Sequence, residues 1–213
     1  MLLDVFSRYV VRWLVAPRES ATLAERLIAT SCARHGIAPG QLTVHGDRGN
    51  AMVAKSVAFL LAALGVTKTH SRPRVSNHNP YSDAQFKTMK YRPDLPERFG
   101  SLEDARAHST TFFTWYNTAH RHRGLGLHTP ADVHFGLAPV RRESRTAVLA
   151  AAYARTPERF VRQLPQPPTP PTAAWINPPK PFALSEAVGQ PSPPTRCLKT
   201  VDRFCLARKR ASS

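Results

Sequence analysis

The sequence predicts an α/β domain built on a mixed sheet flanked by helices, followed by a basic, proline-rich extension. Three observations predict it. The chain opens on an apolar, β-branched pattern broken once by a polar step, and short strand patterns then alternate with helical ones. Eleven of the twenty prolines fall between positions 165 and 194, a composition suited to an extended arm.

Residues 1–6 and 9–16 are rich in Val, Leu and aromatic side chains, and the Ser7-Arg8 step between them predicts a hairpin. Residues 20–36 predict a helix, with Leu23, Leu27, Ile28 and Cys32 on one face and Gly36 where a C-terminal cap belongs. Residues 42–45 predict a short strand, residues 55–64 a largely buried helix and residues 66–71 another strand, ahead of the polar loop 72–79. Asn79-Pro80 is a helix start, with Asn as N-cap and Pro at the first helical position, and the helix is expected to reach about Tyr91. Ser101-Leu102-Glu103-Asp104 carries a capping-box pattern and begins a helix expected to run to about Asn117. A short helix is expected around 146–154, and no internal repeat is visible.

Charge and composition divide the chain. Residues 1–138 hold all nine histidines with 17 basic and 10 acidic side chains, whereas residues 139–213 hold 13 basic and 4 acidic ones. The expectation is a folded domain over 1–138 and, over 139–213, a short helix plus a largely extended or disordered arm. That arm reads equally as a solvated tail or as a contact to a DNA backbone. The net charge of +16 and the isoelectric point near 10.9 point to a polyanionic partner, most simply nucleic acid or an anionic membrane surface. The longest apolar run, 57–66, falls far short of the ~18 residues of a spanning helix, which excludes a membrane protein. Asp4, Arg8 and Arg12 interrupt the apolar start where a signal peptide needs a continuous core. Three scattered cysteines (Cys32, Cys197, Cys205) make no disulfide framework and point to a reducing cytosol.

Two carboxylates stand where chemistry could sit. Asp47 follows a predicted strand in His45-Gly46-Asp47-Arg48-Gly49-Asn50, where the glycines permit a sharp exit and close approach of a ligand. A carboxylate at a sheet edge can hold a hard divalent cation; the plainer reading is an ordinary Asp-rich turn. Asp83, Lys87 and Lys90 stand at i, i+4 and i+7 on the helix begun by Asn79-Pro80. They read either as a surface ion pair or as a metal ligand flanked by phosphate contacts. Thirty-five residues lie between Asp47 and Asp83. His120, His122, His128 and His134 offer a zinc reading, but no paired Cys accompanies them and their spacing fits no common zinc pattern.

That spacing, with the motifs around it, resembles the integrase-like transposases of bacterial insertion sequences, related to retroviral integrases. The stretches that carry the resemblance are Leu2-Leu3-Asp4-Val5-Phe6-Ser7-Arg8-Tyr9-Val10-Val11, His45-Gly46-Asp47-Arg48-Gly49, and Ser71-Arg72-Pro73 through Asn79-Pro80-Tyr81-Ser82-Asp83-Ala84-Gln85-Phe86-Lys87-Thr88 to Lys90-Tyr91-Arg92-Pro93. Tyr116-Asn117, His120-Arg121-His122 and Leu127-His128-Thr129-Pro130-Ala131-Asp132-Val133 complete it. The resemblance covers residues 1 to about 138 and extends toward Trp175-Ile176-Asn177-Pro178-Pro179.

It implies a ribonuclease-H-like core in which an Asp, Asp, Glu triad holds two Mg²⁺ (or Mn²⁺) ions for in-line phosphoryl transfer to DNA. Asp47 and Asp83 match the second and third members of that triad, and Arg48, Arg72, Lys87, Lys90 and Arg121 are the implied DNA contacts. The implied partners are transposon-end and target DNA and further copies of the chain, with no membrane, in a bacterial cytoplasm at the nucleoid. Departures qualify the match. The family's first catalytic Asp and its DNA-recognition helices lie upstream of the segment matching residues 1–6, so a truncated core, inactive alone, is expected. Asp83 stands where the family has Glu, His78 where Asp is usual and Arg12 where a small Gly is normal. Asp4 is expected to be structural, holding the hairpin near Ser7 and Arg8. A non-catalytic DNA-binding remnant is the alternative function, and a zinc-binding structural protein a third.

Overall fold

The computed structural model describes residues 1–46, 49–70, 80–161, 163–176 and 196–200. The chain opens on the expected hairpin. Strands β1 (Leu2–Asp4) and β2 (Val10–Arg12) pair antiparallel, with a bulge where the register steps from Leu2↔Arg12 to Leu3↔Val10. Arg8 closes the turn with φ of 63°, a left-handed conformation unusual for a side-chain-bearing residue. Helix α1 (Ala21–Arg34) begins where the Ser20 side chain accepts a hydrogen bond from the Leu23 amide, and Gly36 beyond its end takes a φ of 56°. Strand β3 (Leu42–Gly46) is followed by two helices in series, α2 (Asn50–Val53) and α3 (Lys55–Ala63), and then by strand β4 (Thr67–His70).

Helix α4 (Pro80–Lys90) and helix α5 (Leu102–Thr118) follow, the latter capped by the Ser101 hydroxyl on the Asp104 amide. A complete capping box lies further on, between Thr129 and Asp132, at the start of helix α6 (Pro130–His134). Helix α7 (Ala138–Arg155) spans 18 residues, twice the short helix expected. The last described strand, β5 (Arg196–Thr200), joins the sheet.

The sheet order is β2-β1-β5-β3-β4. β5 runs antiparallel to β1 and parallel to β3, and β3 runs parallel to β4. The mixed, helix-flanked sheet is the predicted fold class. Alternation along β1 sends Leu2 to one face and Leu3 to the other. Leu2 packs with Leu27, Ile28, Leu42, Val44, Met52, Val57 and Leu61 beneath α1, α2 and α3. Leu3 packs with Val10, Met89, Phe112, Phe113 and Tyr116 beneath α4 and α5. The result is three layers with the sheet in the middle.

Two expectations need correction. Residues 55–64 are not a largely buried helix: only Val57 and Leu61 of α3 are buried, and Phe59 is 73% exposed. The apolar run reads as core, yet α3 meets the sheet on one stripe and nothing described covers its outer face. The arm is more than an extended tail, since Arg196–Thr200 is the middle strand. Its five residues, three of them Arg, Lys and Thr, carry too weak a local pattern to be read as a strand without the partners that pair with them.

Candidate functional site

The two candidate carboxylates belong to different elements, Asp47 to the segment that follows β3 and Asp83 to helix α4. β3 ends at Gly46, the residue before Asp47. Asp47, Arg48 and Arg72 lie outside the described residues, as does the expected N-cap Asn79. The end of β3 is fixed from behind. His45 is buried, and its Nδ1 lies 2.9 Å from Thr69 Oγ1 on β4. Lys68 reaches from β4 to donate a 2.6 Å hydrogen bond to the Met52 carbonyl, tying α2 to the sheet, while burial pushes its ammonium below the ordinary lysine range. Gly46 serves packing rather than a sharp turn. It is not among the positive-φ glycines, and a Cβ there would come within 3.0 Å of Met52 Cε. Gly49 is likewise extended, with φ of −61°, as the N-cap of α2.

Helix α4 carries Asp83. Ser82, Gln85 and Met89 face inward, while Asp83, Lys87 and Lys90 are exposed along one outer face. Asp83 sits in the first turn and the two lysines in the last, each on the end of the helix dipole that favours its charge. Among the described residues no ion pair joins Asp83 to Lys87 or Lys90, so the bland surface-pair reading lacks its contact. Ser82 Oγ and both polar atoms of the Gln85 side chain are buried without a hydrogen-bond partner among the described residues, an unusual concentration of unsatisfied groups behind the exposed face.

Tyr81 anchors the start of α4. The Arg8 guanidinium lies 3.7 Å from its ring centroid, and its hydroxyl donates a 2.9 Å hydrogen bond to the Trp175 carbonyl. The hairpin turn, α4 and the C-terminal arm therefore meet at one side chain, which no local sequence signal marked.

The Tyr116-to-His122 segment packs inward. Tyr116 is buried, and burial raises its phenol well above the ordinary range. His120 stacks on Tyr116 and lies 4.4 Å from the His122 ring, centroid to centroid. Burial, then the charges of His120 and Arg8, lower His122 to about 4, so its ring is neutral near pH 7. Arg121 is exposed, with its guanidinium 3.5 Å from the Leu127 carbonyl. Among the described residues no three His, Cys, Asp or Glu side chains gather as a metal site would require, and no helix is long and apolar enough to cross a membrane.

Asp4 is structural. Its carboxylate accepts hydrogen bonds from the Ser7 hydroxyl (2.7 Å) and the Phe6 amide (3.1 Å), holding the hairpin turn as expected.

Residues 1–76 match one family model described as integrase core domain, and residues 64–130 match a second of the same description. Together the two matches run in order through residues 1–130. The chain is 29% identical over 135 residues to the transposase for insertion sequence element IS904 of Lactococcus lactis, covering 61% of this chain and 51% of that protein. The chain thus spans about half the length of the curated relative it matches. Among solved structures, the catalytic core domain of BIV integrase aligns with 65% of this chain and 86% of its own, at 19% identity and a TM-score of 0.43. A chain of the simian T-cell lymphotropic virus intasome complex aligns with 55% of this chain and 41% of its own, at 14% identity and a TM-score of 0.39.

Proposed function

We propose that this chain serves DNA integration or transposition as the catalytic-core portion of an insertion-sequence transposase. The observation that carries the reading is the pair of integrase core matches, which run in order through residues 1–130 and take in both Asp47 and Asp83. The exposed face of Asp83, Lys87 and Lys90 supports it, because it offers a carboxylate with no ion-pair partner among the described residues next to two cations suited to phosphate. Arg48, Arg72 and Arg121 extend the proposed DNA contact. The partners are transposon-end and target DNA and further copies of the chain, at the nucleoid in the cytoplasm.

Carboxylate oxygen is the donor a hard divalent cation takes, so Asp47 and Asp83 are the proposed ligands for Mg²⁺ or Mn²⁺. Such an ion, when bound, supplies Lewis-acid stabilisation of charge at phosphorus. The protein's own part is to present the two carboxylates from the end of β3 and from α4 and to hold the phosphate backbone with the lysines. Asp83 is one methylene shorter than the Glu of the resembling enzymes, and a displacement of about 1 Å can cost ~10²-fold in rate. The chain alone is therefore expected to bind DNA and not to join it. A wholly non-catalytic DNA-binding role is the second reading, and a strand-transfer assay separates the two. It is run on this chain and on a longer form carrying an upstream strand with an Asp, each with Asp or Glu at position 83. Joining by a longer form marks a catalytic core, whereas Asp83→Glu in this chain alone is not expected to restore joining.

DNA affinity measured by fluorescence anisotropy between ~50 and ~200 mM salt tests the interface. The dissociation constant should rise steeply with salt, and the Lys87→Ala/Lys90→Ala variant should lower the log–log slope by about 2, near 0.9 per lost phosphate contact. A flat response, or an unchanged slope in the variant, counts against this face.

A further inference from the structure

The loop that joins α5 to α6 is built around two consecutive left-handed residues. Gly126 and Leu127 take φ of 62° and 60°, and apart from glycines only Arg8 and Leu127 do so among the described residues. Backbone bonds close the loop: the His122 amide donates to the His128 carbonyl at 3.1 Å, and the Leu127 amide to the His122 carbonyl at 2.9 Å. The carbonyls of this turn collect arginines. Arg145 of α7 donates to the Gly126 carbonyl at 3.2 Å and to the Leu127 carbonyl at 2.8 Å. Arg121 reaches the same Leu127 oxygen at 3.5 Å. Two guanidiniums thus meet on one carbonyl, an approach that their like charges oppose.

A third arginine joins them. Arg142 stands three residues before Arg145 on the same side of α7, and its Nε is buried with no hydrogen-bond partner among the described residues. His128 lies among these cations, fully buried, and neither of its ring nitrogens has a partner among the described residues. The charges felt at that ring are those of Arg145, Asp132, Arg121 and Arg142, and burial followed by Arg145 keeps it neutral near pH 7. Asp132 is already engaged, by Arg141 at 3.3 Å and by the Thr129 cap. Among the described residues no carboxylate lies within ion-pair distance of Arg121, Arg142 or Arg145. The stretch 163–176 that passes Gly126 holds no charged side chain.

Converging cations and buried donors without partners both carry a free-energy penalty, and one kind of ligand relieves both: an anion with several acceptor oxygens. Guanidinium forks match the oxygens of a phosphate. We propose that the Arg121–His128 loop and the face of α7 carrying Arg142 and Arg145 form a phosphate site that holds a backbone phosphodiester of DNA, on elements other than α4. Arg121 and Arg142 supply the donors, while Arg145, committed to the turn carbonyls, adds charge. The site rests on the DNA-binding reading above and extends it. Two anchors on one core define an orientation of the DNA backbone that the lysines of α4 alone leave free.

The test compares the full chain with an Arg121→Gln/Arg142→Gln variant, by anisotropy of a fluorescent duplex between ~50 and ~200 mM salt. Arg145 is kept because its bonds hold the turn, and circular dichroism checks that the variant is folded. With one phosphate released, the log–log slope should fall by about 0.9, and Arg121→Lys/Arg142→Lys, which keeps the charge, should restore it. A second measurement follows the His128 ring by NMR as duplex, inorganic phosphate or chloride is added at constant ionic strength. Its resonances should move with duplex and with millimolar phosphate and stay in place with chloride. A slope that falls in Lys87→Ala/Lys90→Ala but not in the arginine variant overturns this site and leaves the α4 reading standing. A parent chain without salt dependence overturns the DNA-binding reading and this site with it. A ring that responds to inorganic phosphate beside an unchanged slope marks a site for free phosphate and overturns the assignment to DNA. A ring that responds to neither duplex nor phosphate overturns the site.

Discussion

Asp4 Oδ2 and His134 Nδ1 stand 2.9 Å apart across 130 residues of sequence, with both side chains almost fully buried. The Ser7 hydroxyl donates to the same carboxylate oxygen, and Tyr9 stacks on the His134 ring at 4.4 Å. This contact clamps the β1–β2 turn to helix α6. Burial works to raise the Asp4 pKa, but the hydrogen bonds from His134, Ser7 and Phe6 outweigh it and hold the carboxyl below its ordinary value. A carboxyl with a folded pKa below its unfolded one stabilises above the unfolded value, near 4, and that contribution disappears as pH falls below it. Asp4→Asn should cost about 3 kcal/mol in urea unfolding at pH 7 and flatten the loss of stability between pH 5 and 2. Equal pH dependence in the two proteins would show that the clamp is not what titrates.

Asn117 brackets the free edge of β2. Its Oδ1 accepts from the Val10 amide at 2.9 Å and its Nδ2 donates to the Val10 carbonyl at 3.0 Å, as a neighbouring strand would. Asn117→Ala leaves both backbone groups without their buried partner and should cost about 1–3 kcal/mol. Asn117→Asp keeps the acceptor but sets a carboxylate against the carbonyl, and should be no more stable than the alanine variant. Chemical denaturation of the three proteins checks the order.

Gly126 and Gly136 form a controlled pair. Both take a left-handed φ (62° and 72°), but only at Gly126 would a Cβ strike backbone, that of the proline-rich arm. Gly136→Ala should cost only the backbone strain, about 1 kcal/mol. Gly126→Ala should cost more and lift the arm, seen as faster proteolysis within residues 163–176. Matching cleavage rates in both variants would mean that the arm is not seated on this turn.

The His122 ring should remain neutral far into the acid range. An NMR titration is expected to place its midpoint at about 4. The unfolded ring titrates near 6.5, so between those values the unfolded chain binds more protons and stability falls as pH drops. Arg8→Ala removes one of the two nearby charges and should move the midpoint upward. A midpoint already near 6.5 in the unaltered protein would contradict the buried setting of the ring.

Where a signal is local, the sequence already carried it. Ser20 and Gly36 bound α1, Asn79-Pro80 and Ser101 announce α4 and α5, and the i, i+4, i+7 spacing puts Asp83, Lys87 and Lys90 on one face, because caps and helical periodicity act within a few residues. The same locality made Asp4 legible as the brace of its own turn, since Ser7 and Phe6 are its near neighbours.

The tertiary structure decided everything that depends on distant partners. No window around Arg196–Thr200 could mark it as the central strand, because its stability comes from two ladders supplied by residues 2–4 and 42–46. His134 is indistinguishable in sequence from a loop histidine until the fold brings it to Asp4, and Tyr81 looks like one more aromatic until Arg8 and Trp175 converge on it. The apolar run of α3 misled for the converse reason: hydrophobicity states what a helix can bury, and only the packing of α1, α2 and the sheet determines which stripe of it finds cover.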